Sequence, residues 1–356
     1  MNLQGIDHVE FYVGDADVEA ARLCATYGFH LHGRRVYPDH WSVLLRQGGI
    51  QLVVTTGTSA DHPAAVYVER HGDGLATIAI ATDEPDEALT EAVANGAVPL
   101  SGLLESLESQ EANGADVGRV RVTAFGDVAH TFVAPGELVG RFGGPAAPDH
   151  AAVEPLLDAI DHVAVCVPAG ELNGTVRFYE TVLGFTQIFE EYIEVGEQAM
   201  NSKVVQSPSG AVTLTILEPD TSRQPGQIDG FIAAHDGAGV QHLAFRTNDI
   251  ETAVRTFSGN GVDFLSTPGS YYDELGRRLG EVGVPVPVLR ELNVLVDRDE
   301  VGELFQIFAQ STHPRRTFFF EVIERLGALT FGSANIKALY QAVERERAKA
   351  TPGMAL

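Results

Sequence analysis

Apolar residues recur along this chain at two spacings, every second position in short runs and every third or fourth in longer ones. The run Ala159-Ile160-Asp161-His162-Val163-Ala164-Val165 predicts a strand in which Ile160, His162 and Ala164 share one face. The same words stand 154 residues earlier, as Gly5-Ile6-Asp7-His8-Val9-Glu10-Phe11. A helix is predicted over 16–27, with Val18, Ala21, Leu23 and Cys24 as apolar positions and Gly28 as its stop. Strands are predicted at 41–45, 50–55 and 75–81. A second helix at 87–94 ends at Asn95-Gly96, and strands at 120–124 and 131–133 follow.

The second copy repeats this order. A helix at 176–182 precedes Gly184-Phe185, and strands follow at 203–206, 212–217 and 239–245, with Asn260-Gly261 further on. The offsets between copies are 154, 156, 165 and 165 residues, steady enough to indicate duplication. Each unit reads strand-helix-strand-strand-strand, and the pattern recurs within each copy. The fold class expected is therefore α+β, in two domains. Gly143-Gly144-Pro145-Ala146-Ala147-Pro148 reads as a linker, which divides the chain into 1–148 and 149–356. Asn335 to Ala348 has helical spacing, with Ile336, Leu339, Tyr340 and Val343 on one side. The tail at 351–356 is expected to fray.

Charge narrows the partners. The 356 residues carry 24 Lys and Arg against 49 Asp and Glu, a net −25. Such a surface repels nucleic acid and anionic membrane, so neither is expected as a partner. Cys24 and Cys166 have no metal-ligand spacing and fit reduced thiols, Cys166 as a buried structural one. Met1 to Gly5 shows no secretion signal and no long apolar run exists, so a cytoplasmic location is expected.

The copies differ where chemistry would sit. His162 matches His8, but His242 matches Thr77. Glu321 lies inside the apolar run Thr317-Phe318-Phe319-Phe320-Glu321-Val322-Ile323. Its counterpart is expected near Arg141-Phe142, where no carboxylate lies inside an apolar run. The second copy thus holds two histidines and a glutamate on separate strands, 80 and 79 residues apart. A strand histidine by itself is more often a hydrogen-bonded core residue, and His8 is read so. Two imidazoles and one carboxylate form a facial metal-binding set that leaves open positions for substrate and dioxygen. A bare glutamate among phenylalanines is costly to bury, and a metal would remove that cost. Spacing alone leaves iron, manganese, zinc and nickel open.

Longer words in the second half are specific. They are Gly237-Ala238-Gly239-Val240-Gln241-His242, Leu295-Val296-Asp297-Arg298-Asp299-Glu300, Leu304-Phe305-Gln306-Ile307-Phe308, Phe319-Phe320-Glu321-Val322-Ile323-Glu324-Arg325 and Phe331-Gly332-Ser333-Ala334-Asn335-Ile336-Lys337-Ala338-Leu339. In these words the chain resembles the 4-hydroxyphenylpyruvate dioxygenase family, of the vicinal oxygen chelate fold; the first half matches more loosely. The resemblance implies two domains, each a pair of βαβββ modules forming a half-open barrel, with a metal-free first domain and a catalytic second one closed by a C-terminal helix. It implies Fe(II) held by His162, His242 and Glu321, with O2 as co-substrate and 4-hydroxyphenylpyruvate as substrate. It places Ser202, Gln227, Gln241 and Gln306 as polar residues in or near the substrate pocket, with Phe308, Phe320 and Phe331 as apolar lining. A homo-oligomer is expected.

The family has two branches. One migrates the side chain and makes homogentisate; the other hydroxylates the benzylic carbon and makes 4-hydroxymandelate, a precursor of 4-hydroxyphenylglycine in antibiotic biosynthesis. The first usually reads Gly-Phe-Gly-x-Gly-Asn-Phe where this chain has Thr330-Phe331-Gly332-Ser333-Ala334-Asn335-Ile336. Ile336 thus replaces an aromatic beside the substrate ring. Thr215 and Leu217 stand where that branch has Pro and Asn. These departures look like the second branch. A rival of another class is a metal-free binding protein of the same fold.

Overall fold

A computed structural model of the chain describes residues 1–100, 121–143, 154–332 and 335–338. Two curled mixed sheets carry it. The first contains β1 (Gly5–Tyr12), β2 (His30–Val36), β3 (His40–Gln47), β4 (Ile50–Gly57), β5 (Gly74–Ala81), β6 (Arg121–Phe125) and β7 (Val128–Val133), ordered β2-β3-β4-β1-β5-β7-β6. The second contains β8 (Ala159–Cys166), β9 (Thr186–Val195), β10 (Gln198–Gln206), β11 (Thr213–Pro219), β12 (Gly239–Arg246), β13 (Leu295–Arg298), β14 (Glu303–Phe308) and β15 (Phe319–Leu326). Read from its other edge, its order is β9-β10-β11-β8-β12-β15-β14-β13. The two orders coincide strand for strand, with β13 added. In each sheet a central antiparallel pair, β1·β5 or β8·β12, is flanked by parallel pairs on both sides.

The Ala16–Tyr27 helix shows how the pattern resolves. Asp15 caps it by accepting from the Asp17 and Val18 amides, and Gly28, at φ 76°, ends it. Its buried face is Ala16, Ala20, Leu23 and Tyr27, a spacing of four, three and four. Val18, expected among the apolar positions, is exposed, because it lies about 100° per residue around the helix from that face. The predicted strand at 41–45 extends over His40–Gln47, and the helix at 87–94 begins at Pro85. Helices at Pro63–His71 and Gln227–His235 have no counterpart in the expected elements.

One hydrophobic core runs between the sheets and joins the halves. Phe11 meets Phe318 edge-on at 5.2 Å, Tyr27 meets Phe320 at 5.3 Å, and Phe245 stacks on Phe320 at 5.0 Å. Such aromatic pairs add about 0.5–1.5 kcal/mol each beyond the area they bury. Phe320 was expected in the substrate pocket, and this packing corrects that expectation. It follows Phe319 and precedes Glu321 on β15, so the strand alternation turns it to the opposite face. Cys166 is a buried free thiol and Cys24 a half-buried one.

The linker at 144–148 and the tail at 351–356 lie outside the described residues, as does most of the expected C-terminal helix. Residues 335–338 are helical. No helix among the described residues is long and apolar enough to cross a membrane.

Candidate metal centre

Three neighbouring strands of the second sheet, β8, β12 and β15, bring together the three residues singled out in the sequence. Ala244 on β12 is the register partner of both His162 and Glu321. Its methyl group takes little room, so the flanking side chains converge over it. His242 stands two residues away on the same strand, hence on the same face. The Glu321 Oε2 lies 3.4 Å from His162 Nε2 and 3.3 Å from His242 Nε2. One donor atom from each residue falls within 4.8 Å of the others, and all three residues are buried.

The far nitrogen of each ring is engaged. His162 Nδ1 lies 2.8 Å from Asp161 Oδ1, and Arg325 clamps that carboxylate with bonds of 2.8 and 2.9 Å. His242 Nδ1 lies 3.3 Å from the Gln241 side-chain oxygen, and its ring stacks on Phe319 at 5.0 Å. With Nδ1–H donated outward, each Nε2 faces inward beside Glu321, where it would offer its lone pair to a bound metal. Two imidazole nitrogens and one carboxylate oxygen, pre-oriented and shielded from water, fit a divalent transition metal.

Without a metal the site shares protons. Burial opposes charge on His162, but Glu321 and Asp161 outweigh it and lift its pKa to about 9. Burial likewise raises Glu321, yet His162 and His242 bring it down to about 2. On His242 burial wins and the pKa falls. An imidazolium at 162 thus stands where a metal cation would compensate the glutamate.

A cavity opens from these ligands. Ser202 pairs with Leu217, and Val204 with Thr215, across β10 and β11, giving one wall. Gln241, Gln306 and Phe308 form the side toward the metal ligands, and Phe331, Ile336 and Phe189 complete the lining. Of the residues expected around the substrate, Ser202, Thr215, Gln241, Gln306, Phe308, Phe331 and Ile336 line this cavity. Gln227 is not among them: it is the buried first residue of the Gln227–His235 helix.

Phe189, Val204 and the Asp161–Arg325 pair were not anticipated. Asp161 could have been, since the Asp-His word is the repeated one. Phe189 gave no signal, because its edge strand alternates half-exposed and exposed positions.

One further group of three possible ligands exists among the described residues, Asp39, His40 and His62. There His62 Nδ1 accepts the Ala64 amide at 3.1 Å, capping a helix, so its proton sits on Nε2. That tautomer has no inward lone pair to offer.

The Glyoxalase/Bleomycin resistance protein/Dioxygenase superfamily matches residues 159–282. The chain is 31% identical to a probable 4-hydroxyphenylpyruvate dioxygenase 2 of Aspergillus fumigatus, over 97% of this chain and 94% of that one. It is 31% identical to the 4-hydroxyphenylpyruvate dioxygenase of Dictyostelium discoideum, over 97% and 98%. Among solved structures, a mutant of 4-hydroxymandelate synthase from Streptomyces coelicolor is 40% identical, with a TM-score of 0.82 over 97% of this chain and 99% of that chain.

Proposed function

The chain belongs to the 4-hydroxyphenylpyruvate dioxygenase family, and within it we propose an Fe(II)-dependent 4-hydroxymandelate synthase. The reaction takes 4-hydroxyphenylpyruvate and O2 to 4-hydroxymandelate and CO2, a product suited to 4-hydroxyphenylglycine and antibiotic synthesis. His162, His242 and Glu321 hold the iron in the second domain, 149–356, and the first domain, 1–148, is metal-free scaffold. When bound, Fe(II) supplies the activation of dioxygen.

The chain's own residues bind and aim the substrate. The one carboxylate in the ligand set leaves net positive charge at the metal end, which draws the anionic keto acid. Ser202, Thr215, Gln241 and Gln306 offer hydroxyl and amide groups at buried positions, where polar groups of a ligand find partners. Phe308, Phe331 and Ile336 hold the aryl ring and exclude water.

The observation that carries the choice of product is the lining at Ile336, Thr215 and Leu217. A branched aliphatic residue cannot stack on the ring, so the ring turns and presents its benzylic carbon. The structural relative named for this synthase, at 40% identity, supports the reading.

Incubation with Fe(II), O2 and 4-hydroxyphenylpyruvate, followed by chromatography, tests it. The expected product is 4-hydroxymandelate. Chiefly homogentisate would give the dioxygenase reading instead, and neither metal nor turnover would give a binding protein. Ile336→Phe is expected to move part of the product toward ring oxidation. An aromatic contact contributes about 0.5–1.5 kcal/mol, and ~1.4 kcal/mol between two barriers changes their ratio tenfold.

A further inference from the structure

A chain of hydrogen bonds runs from the rim of the second sheet to Glu321. It begins at Tyr271, in the helix Gly269–Arg278, whose hydroxyl accepts the Val296 amide at 2.9 Å. That hydroxyl lies 2.8 Å from both the Val296 carbonyl and Asn335 Oδ1, with one proton to give. Arg278 donates to the Val296 carbonyl at 2.8 Å, so that oxygen has a donor without Tyr271 and the hydroxyl proton is free for Asn335. Asn335 Nδ2 donates to Gln306 Oε1 at 3.0 Å, and Gln306 Nε2 donates to Glu321 Oε1 at 2.8 Å.

The chain has a direction. Tyr271 selects the oxygen end of the Asn335 amide, which selects the oxygen end of Gln306, which turns an N–H toward the carboxylate. A flip at either amide would set two acceptors against each other in a buried place, where neither could find water. Asn335 is completely buried and Gln306 nearly so. The backbone makes room for the pair. Gly332 sits at φ +68°, and a Cβ there would fall 2.6 Å from Gln306 Oε1 and 3.1 Å from Asn335 Nδ2.

The two oxygens of Glu321 thus have separate tasks. Oε1 is held by Gln306, while Oε2 faces both histidine nitrogens. We propose that Asn335, acting through Gln306, is a positioning residue that makes Glu321 a one-oxygen ligand. This rests on the reading of Glu321 as a metal ligand. Holding Oε1 away from the metal keeps one more coordination position free for substrate and dioxygen. With the chain cut, the Gln306 amide turns and the carboxylate can engage through both oxygens.

The test uses the full chain loaded with Mn(II) and water-proton relaxation, which counts waters on the ion. Two histidines and one carboxylate oxygen leave about three positions of an octahedron to water. Asn335→Leu is expected to lower the count by about one. Tyr271→Phe keeps the ring and removes only the hydroxyl, so it moves the count in the same direction by less, and it decides the matter if Asn335→Leu does not fold. An unchanged water count in folded, Mn(II)-loaded Tyr271→Phe and Asn335→Leu overturns the proposal. Glu321→Ala separates the underlying reading: if it binds Mn(II) as tightly as the parent, Glu321 is no ligand and the proposed role of Asn335 falls with it.

Discussion

At three matching register positions the first sheet has His8, Thr77 and Thr131, and the second has His162, His242 and Glu321. Strand order, pairing sense and even the Asp-His word are common to both sheets. The differences are few. Thr77 replaces a histidine and Thr131 a glutamate, and Pro135 stands four residues after Thr131, where Arg325 follows Glu321. Asp7 therefore lacks the clamp that Arg325 gives Asp161. The two threonines carry no charge, so the first sheet has no carboxylate to compensate at those positions. A sheet with His, His and Glu is tolerable only with a cation or a shared proton. The fold depends on the strand order, whereas the candidate metal centre depends on three side chains and the groups behind them.

The strongest way to break this contrast is to remove a ligand from one side and its nearest equivalent from the other. Glu321→Ala is expected to abolish iron binding and lower turnover by at least roughly 1000-fold, about 4 kcal/mol. His8→Ala should leave iron content and turnover as they were. Metal analysis of both variants decides it, and an active Glu321→Ala enzyme would sink the site assignment.

A smaller effect is expected behind the ligands. Asp161→Asn keeps the shape but weakens the hold on the His162 tautomer, and metal affinity should fall about 10–100-fold. Asp7→Asn, at the matching place, should leave it unchanged. Competition with a fluorescent chelator measures both.

Acidity sharpens the comparison further. The His162 pKa is raised to about 9, so in the metal-free chain its stabilising charge is complete below its ordinary value near 6.5 and is lost as pH climbs through 9. Glu321 is lowered to about 2, so its contribution is complete above its ordinary value near 4.5 and fades as pH falls through 2. Metal uptake expels the His162 proton. Apparent affinity should therefore rise about tenfold per pH unit up to pH ~9, with proton release seen in a weakly buffered titration. An affinity flat between pH 6 and 8 would contradict that protonation.

The smallest effect is expected from building the site where it is lacking. Thr77→His combined with Thr131→Glu recreates the set beside His8. Without an equivalent of Arg325 the new site should bind Co(II) weakly, raising stoichiometry above one only at high metal. Tight binding of a second ion would show that the groups behind the ligands matter little.

The duplication was legible because steady offsets survive in a sequence wherever insertions are short. It failed at one place. The offset between partners is 165 at His242 and grows to 190 at Glu321, because the second copy carries the helices Gly269–Arg278 and Val286–Leu292 between β12 and β15. The counterpart of Glu321 was expected near Arg141, a little after Phe132-Val133, whereas the parallel register of β5 and β7 puts it at Thr131. Phe320 was misplaced for a related reason. A motif gives neighbours along the chain, but the pleat of a strand and the turn of a helix decide which of them face a cavity.

By itself, then, the sequence determined the two modules, the candidate ligands and the family resemblance, since these depend on local pattern and on residue identity. Tertiary structure decided what depends on register between distant strands. It put Ala244 between His162 and Glu321, turned Phe320 into the shared core, and set Asn335 against Gln306. Those contacts join residues far apart in the chain, and no periodicity along one strand encodes which partner a neighbouring strand will present.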